Sequence, residues 1–425
     1  MKAAHGWELI NPALPCWMDG YNESRFMFNQ TPEQLKAAPE SGLRTAHGQR
    51  DDLLLDVLIL ADFDPVVFIT LDLMGIEKDT ADRCRAQIAQ VCKIAPERIS
   101  ISTSHTHNGP LVLRGMDGSL PKQRAYWDWI TAKMIACVQD CCLRLQPVES
   151  IQFDPHPIAG FYNNRNRPQE DYFDQVWELT LLTKQDQPIV RLLNLACHPT
   201  ILGVSNRFIS NDFFGVLRRC VEGYTGIPVM LFNGEAGDVS PRLLKKGVDF
   251  NEVQRYGIGI AMQLLDPYHP IQLHPERLDV RWVHHQTDYR PAENEYLIRK
   301  KRELEAEMKT LDPDSEAYRM IKTCTLYDVE EKLSQDRIQF TSDAMIADFG
   351  AFRIVTVPCE IDTELGKCLR EADAKPTFLC AYANGFQYYA VNKAEYGTVF
   401  ESFVTRYPYG DADLFVDEIL KQYRE

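Results

Sequence analysis

Residues 99–110, ISISTSHTHNGP, open as a short β-branched run and end in two histidines one residue apart, followed by an Asn-Gly-Pro turn. On an extended backbone alternate side chains share a face, so His105 and His107 are expected to project to one side where the strand gives way to the turn. Two neutral imidazoles placed there supply half of a tetrahedral zinc shell and leave an open side for water and substrate. A single His-x-His pair is more often just two polar residues at a strand end. What weighs against that reading is its recurrence further along the chain.

Upstream of this stretch, residues 54–60 and 66–71 read as consecutive strands, the second ending on Asp72. A helix is expected from Thr80 to about Lys93, with Asp79 or Thr80 as its N-cap. Strand, helix, strand in that order implies a parallel pair with a right-handed crossover. Asp72 and His105 then share one carboxyl edge, where α/β sheets bind ligands. Residues 7–50, rich in turn formers and aromatics, read as an irregular cover on that core.

Downstream, a helix is expected over 123–145 and a hairpin over 177–183 and 189–196, its second strand running into His198. A helix from Asn211 or Asp212 to about Glu222 precedes a short buried strand, 229–232, which ends in NGEAGDVSP. Strands resume at 344–351 and 353–357, the latter leading to Glu360, and a last one at 378–382 runs into ANGFQYY. Residues 291–340 are densely charged, with Asp312-Pro313-Asp314 between two helical patterns, and read as an inserted helical hairpin. The expected architecture is α/β: a layered mixed β-sheet core flanked by helices, forming one catalytic domain over 1–425 with the hairpin inserted in it.

The 425 residues carry 61 acidic against 46 basic side chains, a net charge of -15, which offers no basic footprint for nucleic acid or anionic lipid. Hydrophobic residues at 45% and charged ones at 25% are ordinary for a globular protein. The opening MKAAHGWELINPALP lacks the apolar core of a secretory signal, no run is long enough to span a membrane, and the 12 cysteines form no Cys-x-x-Cys pair. These features predict reduced thiols, a cytoplasmic location and no stable membrane insertion, and they leave a homo-oligomer open.

Five strand-like runs end in polar clusters: His105 with His107, His198, Asp238 with Ser240, Glu360, and Tyr388 with Tyr389. Successive strands that end this way gather distant side chains into one pocket. His105, His198 and Glu360 would form a two-histidine, one-carboxylate zinc shell, with a fourth position for a tyrosine oxygen or water. Asp72 and Asp238 are candidates to fix the imidazole tautomers, the competing reading being that they cap backbone amides. His284 and His285 face opposite sides of one run, and His156, His269 and His274 sit beside prolines, so surface roles are expected for these five.

The motifs SHTHNGP, Asn164-Arg165, NLACHPT, GDVSP, PCE before a helix, and AN-x-x-x-Y-Y with Glu395-Tyr396 beyond it resemble, in this order, the signature of the neutral, non-lysosomal ceramidases. Those are zinc amidases that cleave an N-acyl sphingosine. The resemblance implies one zinc per chain held by His105, His198, Glu360 and Tyr389, with Tyr388 the alternative phenol. It implies that Ser240 is nucleophile or close catalytic partner, and that His107 and Arg165 face the substrate carbonyl and hydroxyls. The implied activity is amide hydrolysis by metal-activated water on a lipid or smaller N-acyl compound. Phe386 and Phe400 stand where the family tends to place tyrosines, which keeps two alternatives open: a zinc hydrolase for a small ester or sugar-derived substrate, and a non-catalytic acyl-binding relative.

Overall fold

The computed structural model describes residues 1–21, 44–113, 121–265, 270–315, 317–318 and 321–424. Strand β2 (Leu54–Ala61) lies antiparallel between β1 (Lys2–Leu9) and β3 (Pro65–Leu71), with Leu55 opposite Leu71 and Lys2 opposite Ala61. Helix α1 (Lys78–Cys92) then crosses over to β4 (Ile99–Thr103), which pairs parallel to β3 with Val67 opposite Ile99. The expected strand-helix-strand crossover is therefore present. Its helix starts earlier than the capping pattern predicts, at an extended Glu77 that makes no side-chain cap.

After helix α2 (Pro121–Leu143), a second sheet is built from β5 (Ser150–Pro157), β6 (Gln175–Leu182), β7 (Pro188–Leu195) and, beyond helix α3 (Asp212–Thr225), β8 (Val229–Asn233). The 177–196 region is the antiparallel hairpin its alternation predicts, and β8 lies parallel to β7. Helix α4 (Phe250–Leu264) packs on α3. A third sheet orders β9 (Asp279–Tyr289), β10 (Ile338–Asp348), β11 (Arg353–Thr356) and β12 (Thr377–Cys380), with helix α7 (Thr363–Arg370) crossing between the parallel β11 and β12.

Period-two alternation explains why these strands read as continuous apolar runs. Along β2, Leu58 and Leu60 enter a core shared by all three sheets, with Phe68, Leu179, Phe232, Ile354 and Phe378. The intervening Val57 and Ile59 face a second core with Cys84, Ile88, Ile130 and Met134 of α1 and α2. Both faces of the sheet are covered, as buried sheets require. The outcome is the expected layered α/β architecture.

Between β9 and β10 lie α5 (Glu295–Met308) and α6 (Leu326–Leu333), packed on each other over Leu304, Ile321, Leu326 and Val329. The charge-based boundary at 340 is too long, because Ile338 already pairs with Tyr289 in the sheet. Two histidines expected at the surface are buried instead. His156 is 3% exposed, 3.5 Å from Glu178, and His285 is 6% exposed, between Asp411 and Glu418. His284 and His274 are exposed as expected, and His269 lies outside the described residues.

One buried charge cluster ties the first sheet to helix α3. Asp56, 4% exposed, takes both terminal nitrogens of Arg218 at 2.5 and 2.9 Å and His5 Nε2 at 2.9 Å. Burial alone would raise its carboxyl, but Arg218 and His5 outweigh it and hold the group below the usual range. Removing one partner of such a pair strands the other, so Arg218→Met is expected to cost about 3–5 kcal/mol in a urea unfolding titration. A loss below about 1 kcal/mol would mean Asp56 has taken up a proton instead.

Candidate metal centre

The carboxyl ends of the three sheets are stitched together by side-chain and main-chain amides. Asn194 bonds both Leu379 O (2.8 Å) and Leu379 N (3.2 Å), Asn233 Nδ2 donates to Ser104 O at 3.1 Å, and Ala381 N donates to Asn233 O at 2.8 Å. These bonds, with Gly237 N donating to Ile361 O at 2.9 Å, bring the segments after β4, β7, β8 and β11 to one place. His105, His198 and Glu360 meet there, 0%, 1% and 2% exposed.

His105 does not follow the strand. Its φ of +66° is left-handed, a conformation that bulky residues adopt at a cost and that clusters at functional sites. The two histidines of the pair share a side, as expected, but through this turn and not through strand alternation. His107 Nε2 lies 3.3 Å from His105 Nε2. Tyr382 stacks on the His105 ring at 4.1 Å and 17°.

Neither aspartate proposed to orient the imidazoles touches one. Asp72 accepts Leu54 N and Asn211 Nδ2, both at 3.0 Å, and Asp238 accepts Asn164 Nδ2 (2.6 Å), Thr363 N (2.9 Å) and Thr363 Oγ1 (2.7 Å). Main-chain carbonyls orient the rings: Met74 O lies 2.7 Å from His105 Nδ1 and Val239 O lies 3.1 Å from His198 Nδ1. A carbonyl only accepts, so each Nδ1 carries the proton and each Nε2 turns a lone pair inward.

Those lone pairs face a third acceptor. Glu360 Oε2 lies 3.1 Å from His105 Nε2 and 3.0 Å from His198 Nε2. Burial drives His198 below its ordinary pKa, with Arg165 adding to the shift. Burial, then His105 and His198, drives His107 well below. Glu360 is held below the usual carboxylate range against the effect of burial, by the facing His105 and His198. The spacing of the three acceptors suits one ion, since ligands about 2.0 Å from a tetrahedral zinc lie about 3.3 Å apart. Counting His107, the ring nitrogens of the three histidines lie within 4.8 Å of one another, a group able to hold a metal ion.

The remaining expected site residues lie around this centre. Tyr389 pairs with Glu360 in a short parallel bridge (Glu360–Ile361 with Tyr389–Ala390), and its hydroxyl lies 3.2 Å from Arg165 Nη2. Arg165 also donates to Gly237 O (2.9 Å) and from Nε to Glu401 Oε1 (2.7 Å), so Tyr389 and two protein anchors occupy it. Ser240 is 2% exposed and its Oγ accepts the Arg242 amide at 3.3 Å; among the described residues no histidine or carboxylate is in hydrogen-bond reach of it. Tyr388 turns outward, 38% exposed, against Phe386. The carbonyls of Met74 and Val239 and the Glu401 anchor went unforeseen, the first two because every residue carries a carbonyl and no sequence pattern marks the ones that matter.

Fold and site together describe a layered α/β protein whose sheet ends enclose a three-histidine, one-carboxylate centre able to hold a metal ion. Two solved structures share the fold over 100% of this chain. One is neutral ceramidase from Pseudomonas aeruginosa, with a TM-score of 0.72, 17% identity and 74% of its own chain covered. The other is a ceramidase complexed with C2, with a TM-score of 0.72, 15% identity and 75% covered. No family model matches the chain, and no curated protein matches it. Among the described residues no helix is long and apolar enough to cross a membrane.

Proposed function

We propose that this protein is a zinc-dependent amidohydrolase that cleaves an N-acyl, ceramide-like amide. The observation that carries the reading is the set of inward-facing acceptors on His105, His198 and Glu360, spaced as ligands of one ion. The fold shared with ceramidase structures agrees with it. Tyr389, beside Glu360, is the fourth ligand in this reading. When bound, zinc would supply a polarised carbonyl and a water acidic enough to be hydroxide near neutral pH.

The chain's own residues do the rest. His107 is half-buried beside the other two imidazoles, and burial holds it well below its ordinary pKa, so its Nε2 can take a proton from one oxygen and return it to the leaving amine. Arg165 holds the Tyr389 phenol in place. Ser240, lacking a base, orients water and is not the attacking group. In this reading residues 1–425 form one catalytic domain, and the 291–340 hairpin is an appendage to it.

A panel of N-acyl amines set against matching esters, with and without a chelator, tests the activity. Turnover of amides that zinc restores after chelation supports the reading. Ester-only turnover, or turnover indifferent to chelation, ends it. His107→Ala is expected to keep its zinc and lose about 10²–10⁴-fold in kcat. Loss of zinc in that variant would instead make His107 a ligand.

A further inference from the structure

The imidazole of His107 has little of its own to hold it. Among the described residues its Nδ1 has no hydrogen-bond partner, and its Nε2 faces another imidazole nitrogen. It lies two residues beyond the left-handed His105, outside any strand or helix. What fixes it is a cradle from the amino-terminal cover. Gly20, at φ +98°, presses so closely that a Cβ there would stand 2.4 Å from His107 Cα. The Tyr21 ring lies 5.0 Å from the His107 ring, inclined 60°, and the Tyr21 hydroxyl donates to Leu202 O at 2.6 Å.

Arg44 locks this arrangement. It is 1% exposed, and its guanidinium is spread over main-chain carbonyls from three segments: Asp19 O at 2.6 Å, Gly203 O at 3.5 Å, and His107 O in a short contact. It also reaches Asn108 Oδ1 at 3.3 Å and lies 4.9 Å from the Tyr21 ring centroid. A planar fork with five donors can bridge such a set, whereas an ammonium on a flexible stem offers three donors at a single point.

We infer that Arg44 is a positioning residue for the proposed reaction: through the His107 carbonyl and the Tyr21 ring it sets the His107 imidazole over the open side of the metal centre. The inference rests on the reading of that centre as a hydrolytic metal site. The bonds of Arg44 to Asp19, Gly203, His107 and Asn108 reach the centre through the 107–108 segment, so its effect is expected to pass through His107 and to leave metal uptake alone.

The test uses cobalt-substituted full-length protein, whose visible spectrum reports both metal uptake and the binding of acetohydroxamate, a metal-binding probe that needs no knowledge of the substrate. Arg44→Lys and His107→Ala are each expected to leave cobalt content unchanged and to weaken acetohydroxamate about 10-fold, the loss of one hydrogen bond. The double variant should bind no more weakly than His107→Ala alone, because residues acting through one group are not additive. Multiplied effects in the double variant, or unchanged binding in Arg44→Lys, overturn the inference. Should Arg44→Lys not fold, Tyr21→Leu goes through the same cycle, where non-additive weakening supports the inference and multiplied effects or unchanged binding overturn it. Wild-type protein that takes up no cobalt fails the metal reading and this inference with it, whereas multiplied effects in a cobalt-loaded protein fail this inference alone.

Discussion

His198→Ala is expected to release the metal and abolish turnover while leaving a folded protein. Its imidazole contributes one of the two Nε2 atoms facing Glu360 Oε2, and it is aimed by a single carbonyl, Val239 O, which also accepts the His198 amide at 3.0 Å. The substitution removes the ring but keeps that main-chain bond, so the segment stays in register. Changes to groups that merely orient a ligand cost metal affinity about 10–100-fold. Deleting the ligand itself should exceed that range, and kcat should fall with zinc content. A thermal readout separates loss of metal from loss of fold. Zinc that binds the native state raises the melting temperature with concentration, so wild type should show the rise and His198→Ala should not. His198→Gln, closer in volume, controls for the cavity. Full turnover of a chelator-treated His198→Ala protein would remove zinc from the mechanism.

The strands were legible where burial on both faces wrote a continuous apolar run, as in β2, β3, β7 and β8, because β-branched and aromatic side chains must fill the core on each side. Polar residues just beyond such runs marked where the sheet ends converge. The sequence could not show how they converge. The left-handed turn at His105 leaves no residue signal, since the glycine or asparagine that usually marks positive φ is absent. Asp72 and Asp238 drew attention as acids near histidines, but backbone amides and Asn or Thr side chains satisfy both, and carbonyls do the orienting. His156 and His285 looked like surface residues for want of any visible partner. Apart from Asp154 on the strand of His156 itself, their acidic neighbours come from another strand or from the carboxyl-terminal helix Asp411–Gln422. Helix limits failed for a related reason: α1 begins at a glutamate with no side-chain cap, so the best capping residues nearby misplace its start.

Gly237→Ala is expected to damage the fold and the metal centre together. The segment after β8 lies against the residues that carry Glu360, with Gly237 N donating to Ile361 O at 2.9 Å. A Cβ on Gly237 would stand 2.7 Å from both Glu360 O and Ile361 O and 2.8 Å from Ile361 C. All three are main-chain atoms, so no side chain can swing aside, and relief requires the Glu360–Ile361 strand to move. That strand is paired with Tyr389–Ala390, and Gly237 O is an anchor of Arg165, so the displacement reaches Glu360, Tyr389 and Arg165 at once. Overpacking of this kind costs about 1–3 kcal/mol. If Glu360 is a ligand as proposed, it must sit within about 0.5 Å of its place, and zinc affinity should fall at least about 10-fold beyond what the stability loss explains. Gly223→Ala is the matched control: it is exposed on α3 with nothing within 4 Å of its Cβ, and it should gain up to about 1 kcal/mol from helix propensity with zinc binding unchanged. Wild-type zinc affinity in Gly237→Ala would show that the Glu360 strand yields freely, and the rigid convergence of the sheet ends would no longer account for the centre.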